Sequence, residues 1–132
     1  MTLTARCHCG STRIDLPTPT EAKRCNCTFC HRLGALWAYF PPEAVTITAH
    51  PDAIYAPGSG LNAHHFCGRC GNHLYGLSPD WGSVYNMDGT PKAGFTADSI
   101  PETRILAVNL NMVDDLDVSG LTIKEMDGRN NW

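Results

Sequence analysis

The chain has 132 residues, with ten Lys and Arg against thirteen Asp and Glu and a formal charge of −3. The basic residues are scattered, so the basic stripe expected of a general nucleic-acid binder is missing. No run approaches the ~18 apolar residues of a membrane-spanning helix, so no membrane segment is expected either.

Twelve Gly and nine Pro predict many turns and little room for long helices. Short segments rich in β-branched and aromatic residues, bounded by Gly, Pro, Asn or Asp, predict one all-β domain over residues 1–132, built from antiparallel sheets with at most short helical turns. In chain order, residues 12–16 alternate and stop at Pro17, and the aromatic run 35–40 stops at Pro41. Residues 45–48, 53–55, 63–66, 73–77, 83–86, 106–110 and 121–125 are the remaining predicted strands. Pro at the first position of residues 41–44 suits a single helical turn there, and another short turn is expected near Thr96 to Ser99.

The seven cysteines fall into three clusters: Cys7 and Cys9, then Cys25, Cys27 and Cys30, then Cys67 and Cys70. An odd number cannot all pair as disulfides within one chain, and the first residues show no apolar leader. Reduced thiols in a cytoplasmic setting are therefore expected, and reduced cysteines at such gaps read as metal ligands. One C-x-C pair with one C-x-x-C pair makes a complete four-thiolate set, Cys7, Cys9, Cys67 and Cys70, that closes a tetrahedral zinc site. In an extended segment Cys7 and Cys9 share a face, with His8 pointing away. Gly71 can take a positive φ just past the last ligand.

The C-x-C-x-x-C run leaves three thiolates for a second metal. Its fourth position is either open to water or substrate, or closed by His31 or by a distant His64, His65 or His73. His64 and His65 on one strand face opposite ways, one inward and one to solvent. Trp37, Tyr39 and Phe40 read as core packing or as pocket lining. Asp114 and Asp115 suit a strand-end turn, and Trp132 a cover over a core edge.

The order C-x-C-G, C-x-C-x-x-C, F-C-x-x-C-G resembles the glutathione-dependent formaldehyde-activating enzyme family, also called the CENP-V/GFA family. Residues 34–40, Val113-Asp114-Asp115, and the ending from Leu121 to Glu125 closed by Trp132 are similar to it as well, so that the resemblance spans nearly the whole chain. It implies an Mss4-like, or β-tent, fold. It also implies two Zn²⁺ per chain: a structural ion on Cys7, Cys9, Cys67 and Cys70, and a catalytic-type ion on Cys25, Cys27 and Cys30. The implied partners are glutathione and formaldehyde, and the implied chemistry is that of a carbon–sulfur lyase forming or cleaving S-hydroxymethylglutathione-type adducts. The metal ligands are then the catalytic residues, with His31, Arg32 and Trp37 as candidate substrate contacts. The alternative from a different class is a zinc-stabilised, non-catalytic binding module with a vestigial second site.

Overall fold

In a computed structural model of the protein, residues 1–48 and 51–132 are described. The chain forms β1 (Thr2–Arg6), β2 (Arg13–Pro17), β3 (Glu21–Cys25), α1 (Thr28–Leu33), β4 (Trp37–Phe40) and β5 (Thr46–Thr48). It continues through β6 (Asp52–Tyr55), β7 (Ala63–Cys67), β8 (His73–Pro79), β9 (Arg104–Asn109), β10 (Thr122–Met126) and the one-turn α2 (Gly128–Asn131). The expected all-β architecture is the one found. A three-stranded sheet has the order β1-β2-β5, and a seven-stranded sheet the order β10-β3-β4-β9-β8-β7-β6. Every ladder between these strands is antiparallel except that of β10 with β3, which is parallel.

One apolar cluster joins the two sheets. The small sheet contributes Ala5, Ile14 and Leu16, and the large sheet Ala22, Ala38, Phe40, Leu74, Leu106 and Val108. Ile14 and Val108 are fully buried, and Leu110, at the start of the turn after β9, closes the cluster. Burying one such side chain stabilises the fold by roughly 1.5–3 kcal/mol. Ala38 and Phe40 face this cluster, whereas Trp37, buried, and Tyr39, half-exposed with the Lys23 ammonium 5.0 Å from its ring centroid, lie on the other face of β4.

Among the strands, three departures from the sequence expectation stand out. Residues 83–86 are not a strand: Trp81–Ser83 forms a 3-10 turn, and the Val84 and Tyr85 N–H groups donate back to the Trp81 carbonyl. The apolar signal there comes from Val84, which is buried in the loop, while Tyr85 makes only an isolated bridge with Pro91. β1 was not expected because its inward residues, Leu3 and Ala5, give a weak apolar pattern. β3 reads as polar because only Ala22 and Cys25 are buried, while Glu21 pairs with Lys124 of β10 at 2.8 Å. The turn at Pro42–Ala44 and the turn closed by the Ser99 N–H on the Thr96 carbonyl form where expected.

This packing predicts a sharp contrast between two truncations. Leu74→Ala, at a site 1% exposed, is expected to lower stability by about 2–5 kcal/mol. Ile54→Ala, on the edge strand β6 and 58% exposed, should change it by less than about 0.5 kcal/mol. Denaturant midpoints with metal held constant measure both, and equal losses would place the core elsewhere.

Candidate metal centres

Two hairpin tips build the first centre. Cys7 follows β1 at the turn into β2, and Cys67 ends β7 at the turn into β8. The turns share one hydrogen-bond plan. Gly10 N–H donates to the Cys7 carbonyl at 3.0 Å and Gly71 N–H to the Cys67 carbonyl at 2.8 Å. Gly10 and Gly71 both take φ +79°, a conformation open to glycine and strained for other residues. Cys7 and Cys9 therefore converge through a turn and not along an extended strand, and His8 points into solvent. The Cys9 sulfur lies 3.6 Å from both Cys7 Sγ and Cys67 Sγ. All four sulfurs, Cys70 included, lie within 4.8 Å of one another, a group that could hold a metal ion. His8 N–H donates to Asn72 Oδ1 at 2.7 Å and ties the two tips together beside the sulfurs.

Backbone N–H groups favour thiolates in this cluster. The N–H groups of Cys70 and Arg69 aimed at Cys67 Sγ lower its pKa to about 6, while burial raises that of Cys7 against the Thr12 N–H. Beside this centre lies a larger hollow of about 460 Å³, whose lining includes Arg6, His8, Asn72 and Asp114, which sequence reasoning did not anticipate.

The second centre is local. Cys25 ends β3, Cys27 caps α1, and Cys30 lies inside α1, so a strand end and one helical turn bring three sulfurs within 4.8 Å of one another. The N–H of Cys27 donates to Cys25 Sγ at 3.4 Å, and that of Cys30 to Cys27 Sγ at 3.3 Å. Trp37 reaches the site from β4, its indole N–H donating to Cys30 Sγ at 3.4 Å. Gly34, at φ +67°, ends the helix by donating to the Cys30 and His31 carbonyls. The short helix was not anticipated, because a six-residue segment with no buried residue carries no apolar periodicity.

Burial pushes the Cys30 thiol up to about 12 despite the Trp37 N–H, and raises Cys25 as well. At Cys27 burial is the largest single influence and works against ionisation, but the Cys30 N–H, the neighbouring Cys30 and Cys25 thiols and the Phe29 N–H together outweigh it and the pKa falls. Three sulfurs this close, two of them held protonated by burial, become a set of thiolates only when a cation supplies the compensating charge. The donor set therefore fits a bound Zn²⁺.

No fourth Cys, His, Asp or Glu joins this trio among the described residues. His64 stacks on Phe29 of α1 at 3.9 Å, and burial keeps both His64 and His73 below the usual imidazole pKa, so they are neutral at pH 7. His65 stacks on Tyr75 and its Nδ1 lies 2.9 Å from Asp52 Oδ2. Both members of the His64-His65 pair are thus half-buried against aromatic rings, not split between core and solvent. A pocket of about 180 Å³ opens on Cys25 and Cys30, with Arg24 and His31 also in its lining. The Arg32 guanidinium turns back to donate to the Thr28 carbonyl at 3.1 Å, and Asp114-Asp115 forms an exposed turn. Trp132 covers no core edge; it is 59% exposed, and its indole nitrogen edge meets Gly128 beside Cys25.

Three solved chains match this structure. One, a Rhodobacter sphaeroides protein, is 19% identical over 92% of this chain and 100% of its own, with a TM-score of 0.62, and supports the fold alone. No match was found among curated proteins. The sequence model described as glutathione-dependent formaldehyde-activating enzyme matches residues 2–98, a span that holds all seven cysteines of both centres. The chain belongs to the glutathione-dependent formaldehyde-activating enzyme family.

Proposed function

We propose that the protein is a zinc-dependent enzyme of the carbon–sulfur lyase type, acting on adducts of a thiol and an aldehyde such as S-hydroxymethylglutathione. The observation that carries this reading is the asymmetry of the two sulfur clusters. Cys7, Cys9, Cys67 and Cys70 form a four-donor set between distant hairpins, whereas Cys25, Cys27 and Cys30 stand as three donors with no fourth among the described residues, and a hollow lies beside each set. The first set would hold a structural Zn²⁺ and the second a Zn²⁺ open to substrate. An ion held there by Cys25, Cys27 and Cys30 would supply Lewis acidity that favours the thiolate form of a substrate thiol.

The chain's own residues bind and orient the reactants. Three thiolates around a divalent cation carry a net charge of −1, so an incoming anion needs nearby cations. Arg24 and His31 line the pocket. Arg24 pairs with Glu125 at 3.4 Å, but both side chains are more than half-exposed, and such a pair is worth little. Its guanidinium is free to turn to a ligand carboxylate, of which glutathione has two. Trp37 holds Cys30 by its indole N–H and fixes one sulfur of the trio. In the reaction the thiol sulfur forms a bond to the aldehyde carbon, the carbonyl π-bond opens, and the thiol proton ends on the former carbonyl oxygen. Cleavage is the reverse. The seven free thiols suit the reducing cytoplasm as its location.

The division of labour predicts unequal variants. Cys67→Ser should unfold the protein or render it insoluble, because zinc binding at such a site is itself folding free energy, on the order of 10 kcal/mol. Cys27→Ser should keep the fold and one of the two zinc ions. Metal analysis with thermal melting reads both, and equal loss of melting temperature would contradict the assignment. In the cobalt-substituted protein, glutathione should intensify the sulfur-to-cobalt charge-transfer band as a fourth sulfur joins the trio. A spectrum unchanged at saturating thiol would favour the zinc-stabilised binding module instead.

A further inference from the structure

Beyond the residues matched by the family, the segment after β10 folds back over the three-sulfur cluster. Asn26, between Cys25 and Cys27, anchors it. The Asn26 N–H donates to the Met126 carbonyl at 3.1 Å, and its side-chain amide to Asp127 Oδ1 at 2.8 Å. Its Oδ1 and its carbonyl accept from the Arg129 N–H and Arg129 Nε, each at 3.0 Å. This clamp brings Gly128 so near that a β-carbon there would lie 2.7 Å from Cys25 Sγ and 2.9 Å from Trp132 Nε1. Glycine is required by that approach. The Trp132 N–H closes the turn on the Gly128 carbonyl at 2.9 Å. The sulfur of Cys25 and the nitrogen edge of the Trp132 indole thus flank one point at the rim of the cluster.

The other two indoles are engaged: Trp37 donates to Cys30 Sγ and Trp81 to Asn62 Oδ1 at 2.8 Å. Among the described residues no acceptor takes the Trp132 indole N–H, although Nε1 and Cys25 Sγ meet at the position of a Gly128 β-carbon and the residue is more than half-exposed. A bound thiolate is an anion and accepts hydrogen bonds from N–H donors, which strengthen when the acceptor is charged. We propose that Trp132 is a positioning residue of the site, its Nε1–H donating to the sulfur of the thiol that completes the coordination begun by Cys25, Cys27 and Cys30. Trp37 and Trp132 then bracket the cluster, one indole holding a protein sulfur and the other the substrate's. This rests on the thiol-binding reading of the trio.

The test compares wild type with Trp132→Phe, which keeps an aromatic ring and removes the donor. Cobalt-loaded protein is titrated with glutathione while the charge-transfer band is followed, and metal per chain is measured in parallel. The expected result is a band that rises in both proteins, with the variant needing roughly tenfold more thiol at unchanged metal content. Equal thiol affinity overturns the role of Trp132 and leaves the thiol-binding reading intact. Loss of metal from the variant also overturns it, since the residue then supports the metal site itself. A band that fails to rise in wild type overturns the thiol-binding reading, and this proposal with it.

Discussion

The meeting of two hairpin tips is the constraint on which the rest depends. The β1–β2 turn belongs to the small sheet and the β7–β8 turn to the large one, and their sulfurs stand 3.6 Å apart although Cys9 and Cys67 are separated by 58 positions. Closing so long a loop costs entropy, which the apolar core between the sheets offsets together with whatever the sulfur cluster binds. A four-thiolate zinc contributes on the order of 10 kcal/mol, as much as the whole net stability of a typical domain. Backbone N–H groups draw Cys67 toward the thiolate while burial resists at Cys7, so the four sulfurs form a consistent set around a cation and an uneasy one without it.

The second cluster uses the same chemistry in a different context. Its three sulfurs come from six consecutive positions, so no sheet is assembled by joining them. Its environment is instead composed of contributions from far away: Trp37 from β4, Phe29 stacked across to His64 of β7, and the C-terminal turn clamped on Asn26. A centre whose removal leaves the sheets paired can give one coordination position to a ligand. A centre that pins two sheets together cannot. On the proposed reading, sequence separation between the sulfurs sorts the two clusters by role.

The cysteine spacing made both sulfur groupings readable, because sites that could hold a tetrahedral ion need closely spaced donors regardless of fold. Most strands were legible for a similar reason: turn residues punctuate them and their inward positions alternate. What escaped was what depends on partners distant in sequence. β3 shows few apolar residues because it lies between β4 and β10 with one charged face, and its parallel pairing with β10 leaves no local signal. The helix α1 exists because Cys27 caps it and Gly34 ends it, not because of an apolar stripe. The turn after β10 is defined by one amide side chain, Asn26, and by the missing β-carbon of Gly128. Its bearing on Cys25 could not be read from Trp132 as a terminal aromatic. The apolar pattern at 83–86 misled because a buried Val84 in a loop looks, in isolation, like a strand residue.

X-ray absorption at the zinc edge, with and without glutathione, tests the central claim most directly. Two zinc ions, one held by four cysteines and one by three, should give an average between three and four sulfur neighbours at about 2.3 Å, with the remainder a light atom. Adding glutathione should raise the average to four and remove the light-atom shell. A full set of four sulfurs before thiol is added, or an imidazole signature that persists after it, would contradict an open three-cysteine centre.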